Sequence, residues 1–175
     1  MFSSTRWAWI WLVLRLFLGW QWLKEGIDKA QSPGWIGANA GSFLTTWGTA
    51  ALHKTGGAHP DVQGWYAAFL QHVVLPNAVF WSYAIVVGEV CVGLGLILGL
   101  FTGVAAFFGS FMNFNYLLAG TVSMNPIFFA IATMLVLAWK TAGWWGLDRW
   151  ALPELGTPWR RGPLLARRPA VSVIR

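Results

Sequence analysis

Four long apolar runs, at about residues 7–23, 79–100, 103–119 and 126–143, dominate the pattern of hydrophobic and polar positions along the chain. Each approaches the roughly 20 apolar residues a helix needs to cross the hydrocarbon of a bilayer. The pattern predicts an all-α, polytopic membrane protein, a bundle of four transmembrane helices over residues 1–150, followed by a basic tail over 151–175. Asn125-Pro126 reads as a helix start, with asparagine suited to the cap and proline to the first helical position. The second and third runs are joined by so short a link that only an antiparallel hairpin fits. Gly95, Gly99 and Gly103, each four apart, suit close approach of helix backbones.

The segment at about 24–78 is long and mixed, and it is expected to be an outer loop carrying short interfacial helices. "WIGANAGSFLTTW" (35–47) is apolar with small residues. Gly56-Gly57 breaks the chain, and Pro60-Asp61 precedes a second helical pattern in which Trp65, Phe69, His72 and Val73 share one face. Two short helices on or dipping into the outer leaflet fit this pattern, and a loop of this length usually carries function. Ala38-Asn39-Ala40 resembles a cleavage site but lies far beyond the first apolar run. Arg15 interrupts that run, and Lys24, Glu25, Asp28 and Lys29 follow it, so the first helix is expected to be retained rather than cleaved.

Composition sharpens the class. The chain is 57% hydrophobic and 10% charged, with a mean hydropathy of +0.55, values that suit a membrane protein rather than a soluble domain. Its 14 tryptophans suit aromatic belts at the two bilayer surfaces. The net charge of +6 does not point to nucleic acid, because Arg160, Arg161, Arg167, Arg168 and Arg175 cluster directly after the last apolar run. There they would fix orientation and touch anionic lipid. With Arg6, Lys140 and Arg149 on the same side, the positive-inside rule places both termini in the cytoplasm and the chain in the inner membrane. Asp148 and Arg149 in "GWWGLDRW" are expected to face the cytoplasm. The one cysteine, Cys91, excludes an internal disulfide and reads as a small buried hydrophobe.

Two charges fall inside apolar runs. Arg15 lies about eight residues from either end of the first, and Glu89 about ten residues into the second, so both are expected near the midplane. A central arginine costs roughly 2.5–3.5 kcal/mol on insertion scales, and an opposite charge at the same depth would compensate it. An Arg15–Glu89 pair is therefore expected, either as a static clasp or as the lining of a polar cavity. In the third run, Asn113, Asn115 and Tyr116 add polar groups. The two asparagines point about 200° apart, so one of them, undetermined, would join the pair. His53, His59 and His72 all fall in or at the end of the outer loop, which disfavours a haem between helices. No cysteine cluster, glycine-rich dinucleotide loop or metal-ligand pattern is visible. No covalently bound cofactor is expected, and electrons would need a quinone or a partner chain.

"RLFLGWQWLKEGIDK" (15–29), "GEVCVGLGLILGLFTG" (88–103), "NFNYLLAGTVSMNP" (113–126) and "GWWGLD" (143–148) together resemble the DoxX/DoxD family of membrane proteins. Arg15, Gly19, Gly26, Lys29, Glu89 and Asn115 match the family pattern. The resemblance implies a four-helix bundle in a respiratory or redox setting. Some members are subunits of thiosulfate:quinone oxidoreductase, which joins thiosulfate oxidation to tetrathionate with quinone reduction. It further implies a partner membrane or periplasmic subunit and a quinone entering from the bilayer. The candidate catalytic residues are then Glu89 and Arg15, and the candidate quinone-binding residues Asn113, Asn115, Tyr116, His72 and Lys29. The alternative is a non-catalytic scaffold or accessory subunit. A transporter is the weaker third reading, since no inverted repeat is visible.

Overall fold

The computed structural model describes Phe2 and residues 4–156; the tail arginines from Arg160 to Arg175 lie outside the described residues. The described chain is helical, with no strand. Helix α1 (Ala8–Ala30) buries Trp11, Arg15, Leu18, Gly19, Trp22 and Gly26, one stripe at three- and four-residue spacing. After α2 (Ser42–Leu52) comes α3 (Gly64–Phe69), which continues through a π turn at Leu70–Val74 and a 3-10 turn at Leu75–Asn77 into α4 (Ala78–Leu98). Then follow α5 (Thr102–Leu118), α6 (Asn125–Leu137) and the short α7 (Trp139–Ala142) and α8 (Asp148–Glu154).

Two boundaries differ from the sequence expectation. Helix α1 does not stop near Leu23 but runs two turns further, because Gly26 and Lys29 continue its packed stripe against α4. The second short helix of the loop is not separate either. It is the start of one continuous helix, Gly64–Leu98, of 35 residues, which at 1.5 Å per residue is about 52 Å long. Pro76 has no N–H to continue the α ladder, and the π and 3-10 turns around it absorb the break. Asn77 Nδ2 donates to Val73 O at 3.0 Å, satisfying one carbonyl there. Asn125 opens α6 as expected, with Pro126 in its first turn, but its side chain does not cap. It donates back to Thr121 O at 2.8 Å instead.

Among the described residues, Gly64–Leu98 is the one helix that is by itself long and apolar enough to cross a membrane. Helix α1, at 23 residues, is long enough but carries Arg15 and the Lys24–Lys29 charges, whereas α5 and α6 have 17 and 13 residues.

The largest interface is between α1 and α4, and the next is between α5 and α6. Helices α1 and α4 run antiparallel in tight register. A Cβ on Gly93 would meet the Leu23 backbone at 2.6 Å, one on Gly26 the Val90 backbone at 2.9 Å, and one on Gly19 the Ile97 backbone at 3.0 Å. Their shared core contains Trp11, Leu18, Trp22, Val92, Leu96 and Leu135. A second core, from Leu44, Val62, Tyr66, Leu70 and Val74, joins α2 to the α3 end of the long helix. Outward, the bundle helices present large apolar side chains such as Val13, Trp20, Val87, Phe107, Phe111 and Leu137. An apolar surface on every bundle helix suits acyl chains, not water. Cys91 belongs to this outer surface and is exposed. The expectation of a buried thiol fails because the packed face of α4 runs through Val86, Glu89, Val92, Gly93 and Leu96.

Candidate functional site

The expected Arg15–Glu89 pair does not form. Glu89 lies beside Gly26, so the level of Arg15 is about 11 residues, roughly 16 Å, back along α1. Treating both charges as mid-span placed α1 in the wrong register, because α1 continues beyond Leu23 to Ala30. Each charge has found its own partners, at opposite ends of the α1–α4 interface.

Arg15, 1% exposed, closes the C-terminal end of α4. Its Nη1 donates to Leu96 O at 2.6 Å and Ile97 O at 2.8 Å, and its Nη2 to Trp145 O at 2.8 Å. The last carbonyls of a helix lack intrahelical donors and carry its negative pole, so a guanidinium there is doubly favoured. Gly99, at φ +64°, ends the helix in the left-handed region, and a Cβ on it would lie 2.7 Å from the guanidinium. Leu98 O and Gly99 O accept from the Leu147 and Asp148 amides at 3.1 and 2.7 Å, which completes the carbonyl accounting. Asp148 is the matching cap on the next helix. Its carboxylate accepts from Phe101 N at 2.6 Å and Thr102 N at 2.9 Å, at the positive pole of α5. Asp148 is therefore buried rather than facing solvent, and its charge acts favourably on Arg15.

The other charge anchors a polar cluster at the opposite end of the interface. Glu89 is 1% exposed, and Lys29 Nζ donates to both its oxygens, at 2.9 and 2.8 Å. Tyr116 Oη donates to Glu89 Oε1 at 2.9 Å. Three helices thus meet on one carboxylate: Lys29 from the last turn of α1, Glu89 from α4 and Tyr116 from α5. Lys29 keeps 18% of its side chain exposed and also approaches Glu25 at 3.6 Å. Its ammonium sits 5.5 Å from the centre of the Trp35 ring, within reach of a cation–π attraction. Trp47 meets the Tyr116 ring edge-on at 6.0 Å and donates its indole N–H to Thr121 Oγ1 at 3.0 Å. The cluster is a dry carboxylate with an ammonium and a phenol on it, walled by two indoles, and reaching the surface through Lys29.

The remaining expected residues divide. Asn113 is fully buried, and neither atom of its amide has a hydrogen-bond partner among the described residues. It lies one turn from Tyr116 on the inward face of α5. Asn115 points elsewhere, its Nδ2 donating to Phe111 O and its Oδ1 accepting from Tyr66 Oη at 3.2 Å, which ties α5 to α3. Neither asparagine bonds to Arg15 or Glu89, contrary to expectation, because both charges are already engaged. His72 is exposed on the π turn and joins none of these contacts. Among the described residues no group of histidines, cysteines and carboxylates could hold a metal ion. Sequence reasoning missed Glu25, Trp35, Trp47 and Asp148. Only the spacing of Gly26 and Lys29 along the α1 stripe could have signalled that Lys29 faces inward.

A family model described as DoxX matches residues 10–124, a span that includes Arg15, Lys29, Glu89 and Tyr116. No curated protein and no solved structure matches the chain.

Proposed function

This chain belongs to the DoxX family of membrane proteins, and on that premise we propose that it is the membrane subunit of a redox complex that receives a quinone headgroup at the Lys29–Glu89–Tyr116 cluster. The observation that carries this reading is the buried Glu89 carboxylate, held by an ammonium and a phenol at once. Such a trio can donate hydrogen bonds to a quinone oxygen and move a proton onto it. The flanking Trp35 and Trp47 supply flat apolar walls of the kind that hold a ring. Quinone reduction takes two electrons and two protons. In this reading a partner subunit draws the electrons from two thiosulfates, leaving tetrathionate, and Glu89 with Lys29 relays the protons. Arg15 takes no part in the chemistry; its donors are spent on the end of α4. The uneven spread of Lys and Arg supports both termini facing the cytoplasm, with the cluster toward the outer side.

A second reading, an accessory subunit without catalysis, is favoured by the same geometry seen differently. Lys29, Glu89 and Tyr116 satisfy one another and join three helices, which suits a clasp. One experiment separates the two. In membranes holding the complex, Glu89→Gln should lower thiosulfate-dependent reduction of a soluble quinone analogue about 100-fold, with the assembled complex still recovered. Wild-type turnover in that variant overturns the relay and leaves the clasp.

A further inference from the structure

The C-terminal end of the bundle carries a built feature that the redox reading does not use. Between α7 and α8 lies a cavity of about 110 Å³ lined by Trp139, Lys140, Trp144, Asp148, Arg149 and Leu152. Its two cations are each set against an indole: Lys140 Nζ lies 5.6 Å from the Trp139 ring centre, and the Arg149 guanidinium carbon 5.4 Å from that of Trp144. The carboxylate in the wall does not oppose an anion. Asp148 is turned to the Phe101 and Thr102 amides, and its charge is countered by the helix pole and by Arg15. Around the cavity Trp145 and Trp150 stand 65% exposed, with Leu147 and Leu155 beside them. Amphipathic indoles of this kind settle at the headgroup level of a bilayer.

We propose that this cavity binds the phosphate of an anionic phospholipid, with Lys140 and Arg149 on the phosphate and the exposed tryptophans along its glycerol and upper acyl chains. Charge complementarity selects that occupant. The ionised residues at this end are Arg6, Arg15, Lys140 and Arg149 against Asp148 and Glu154, and the 157–175 sequence adds five arginines and no acid. At the opposite end Lys24, Lys29 and Lys54 face Glu25, Asp28, Asp61 and Glu89. An anionic headgroup is thus drawn to one end of the molecule alone. Arg6 lies there too, since the N-terminal segment is fixed to α7 by the Thr141 hydroxyl donating to Phe2 O at 2.8 Å. The arginines of the 157–175 sequence would attract any anionic surface; the indole-seated pair adds a defined place for one phosphate.

The test uses the full chain in a neutral detergent. Phosphatidylglycerol should bind and raise the melting temperature, whereas phosphatidylcholine should not. The double variant Lys140→Gln, Arg149→Gln should weaken phosphatidylglycerol binding about tenfold or more, while Arg160→Gln, Arg161→Gln should leave most of it. A photoreactive phosphatidylglycerol should label the 139–152 stretch of the wild-type chain, a readout that needs no variant to fold. Equal binding of the two lipids, loss of binding only in the tail variant, or labelling elsewhere overturns the site. Displacement of the lipid by millimolar inorganic phosphate would reassign it to the free ion and overturn the headgroup.

Discussion

Arg15 bears on stability rather than chemistry, because its three hydrogen bonds all end on backbone carbonyls. Bonds to a charged group are worth about 1.5–3 kcal/mol each, and an orphaned buried carbonyl adds its own cost. Arg15→Met should therefore destabilise the bundle by about 4 kcal/mol or more, read as a lower melting temperature in detergent. It should leave the proposed quinone turnover per folded molecule unchanged. Tyr116→Phe makes the opposite distinction. It removes one hydrogen bond from Glu89 and keeps the Lys29 pair, so it should cost less, about 1.5–3 kcal/mol, while slowing turnover in the proposed relay. The same two residues mark how far the site was legible in the sequence. That charges inside apolar runs need partners is a residue-level rule, and it drew attention to Arg15 and Glu89; Lys29 came in through the family resemblance and Tyr116 as a polar neighbour in the third run. Which partner each takes depends on the register of α1 against α4, and backbone carbonyls at a helix end leave no mark in a sequence at all. Asp148 was misplaced for the same reason: a carboxylate that caps a distant helix looks like any surface acid.

At the scale of elements, register is set by glycine. Gly93 sits so close to Leu23 that a Cβ would fall 2.6 Å from its backbone nitrogen, and neither helix can yield without moving the whole interface. Gly93→Val should push α1 and α4 apart and cost about 3 kcal/mol, at the upper end of typical overpacking penalties. Gly64→Ala, where a Cβ meets nothing within 4 Å, should be neutral or slightly stabilising. Equal melting temperatures for the two variants would show that the α1–α4 contact is not what sets the register. The helices themselves were legible because apolar periodicity is a local property, as were the α4–α5 hairpin and the start of α6. What escaped was continuity. The charges from Lys24 to Lys29 mimic a helix end, yet Gly26 and Lys29 still pack; Pro76 mimics a break, yet a π turn carries the helix through it.

Across the whole molecule the two ends are chemically unlike, and that asymmetry makes the membrane arrangement testable. One end is the nearly neutral assembly of α2 and the Lys29–Glu89–Tyr116 cluster; the other is cationic and rich in exposed indoles. Between them lies the apolar belt, which contains Cys91. If the belt is lipid-covered, Cys91 should resist a charged maleimide in intact membranes and react once the protein is unfolded in detergent, since a charged reagent is strongly disfavoured in the hydrocarbon layer. With Cys91 replaced by Ser, single cysteines report each end. Ala38→Cys, in the exposed turn between α1 and α2, should label from outside intact cells. Glu154→Cys, exposed on α8, should label only after lysis. Labelling of both from the same side would mean that the bundle is not crossed by lipid between them, and the cluster around Glu89 would then face the same compartment as the cationic end. A bundle inserted the other way round would label Glu154→Cys alone, placing the Lys29–Glu89–Tyr116 cluster toward the cytoplasm and moving the proposed quinone site and its sulfur-oxidising partner there with it.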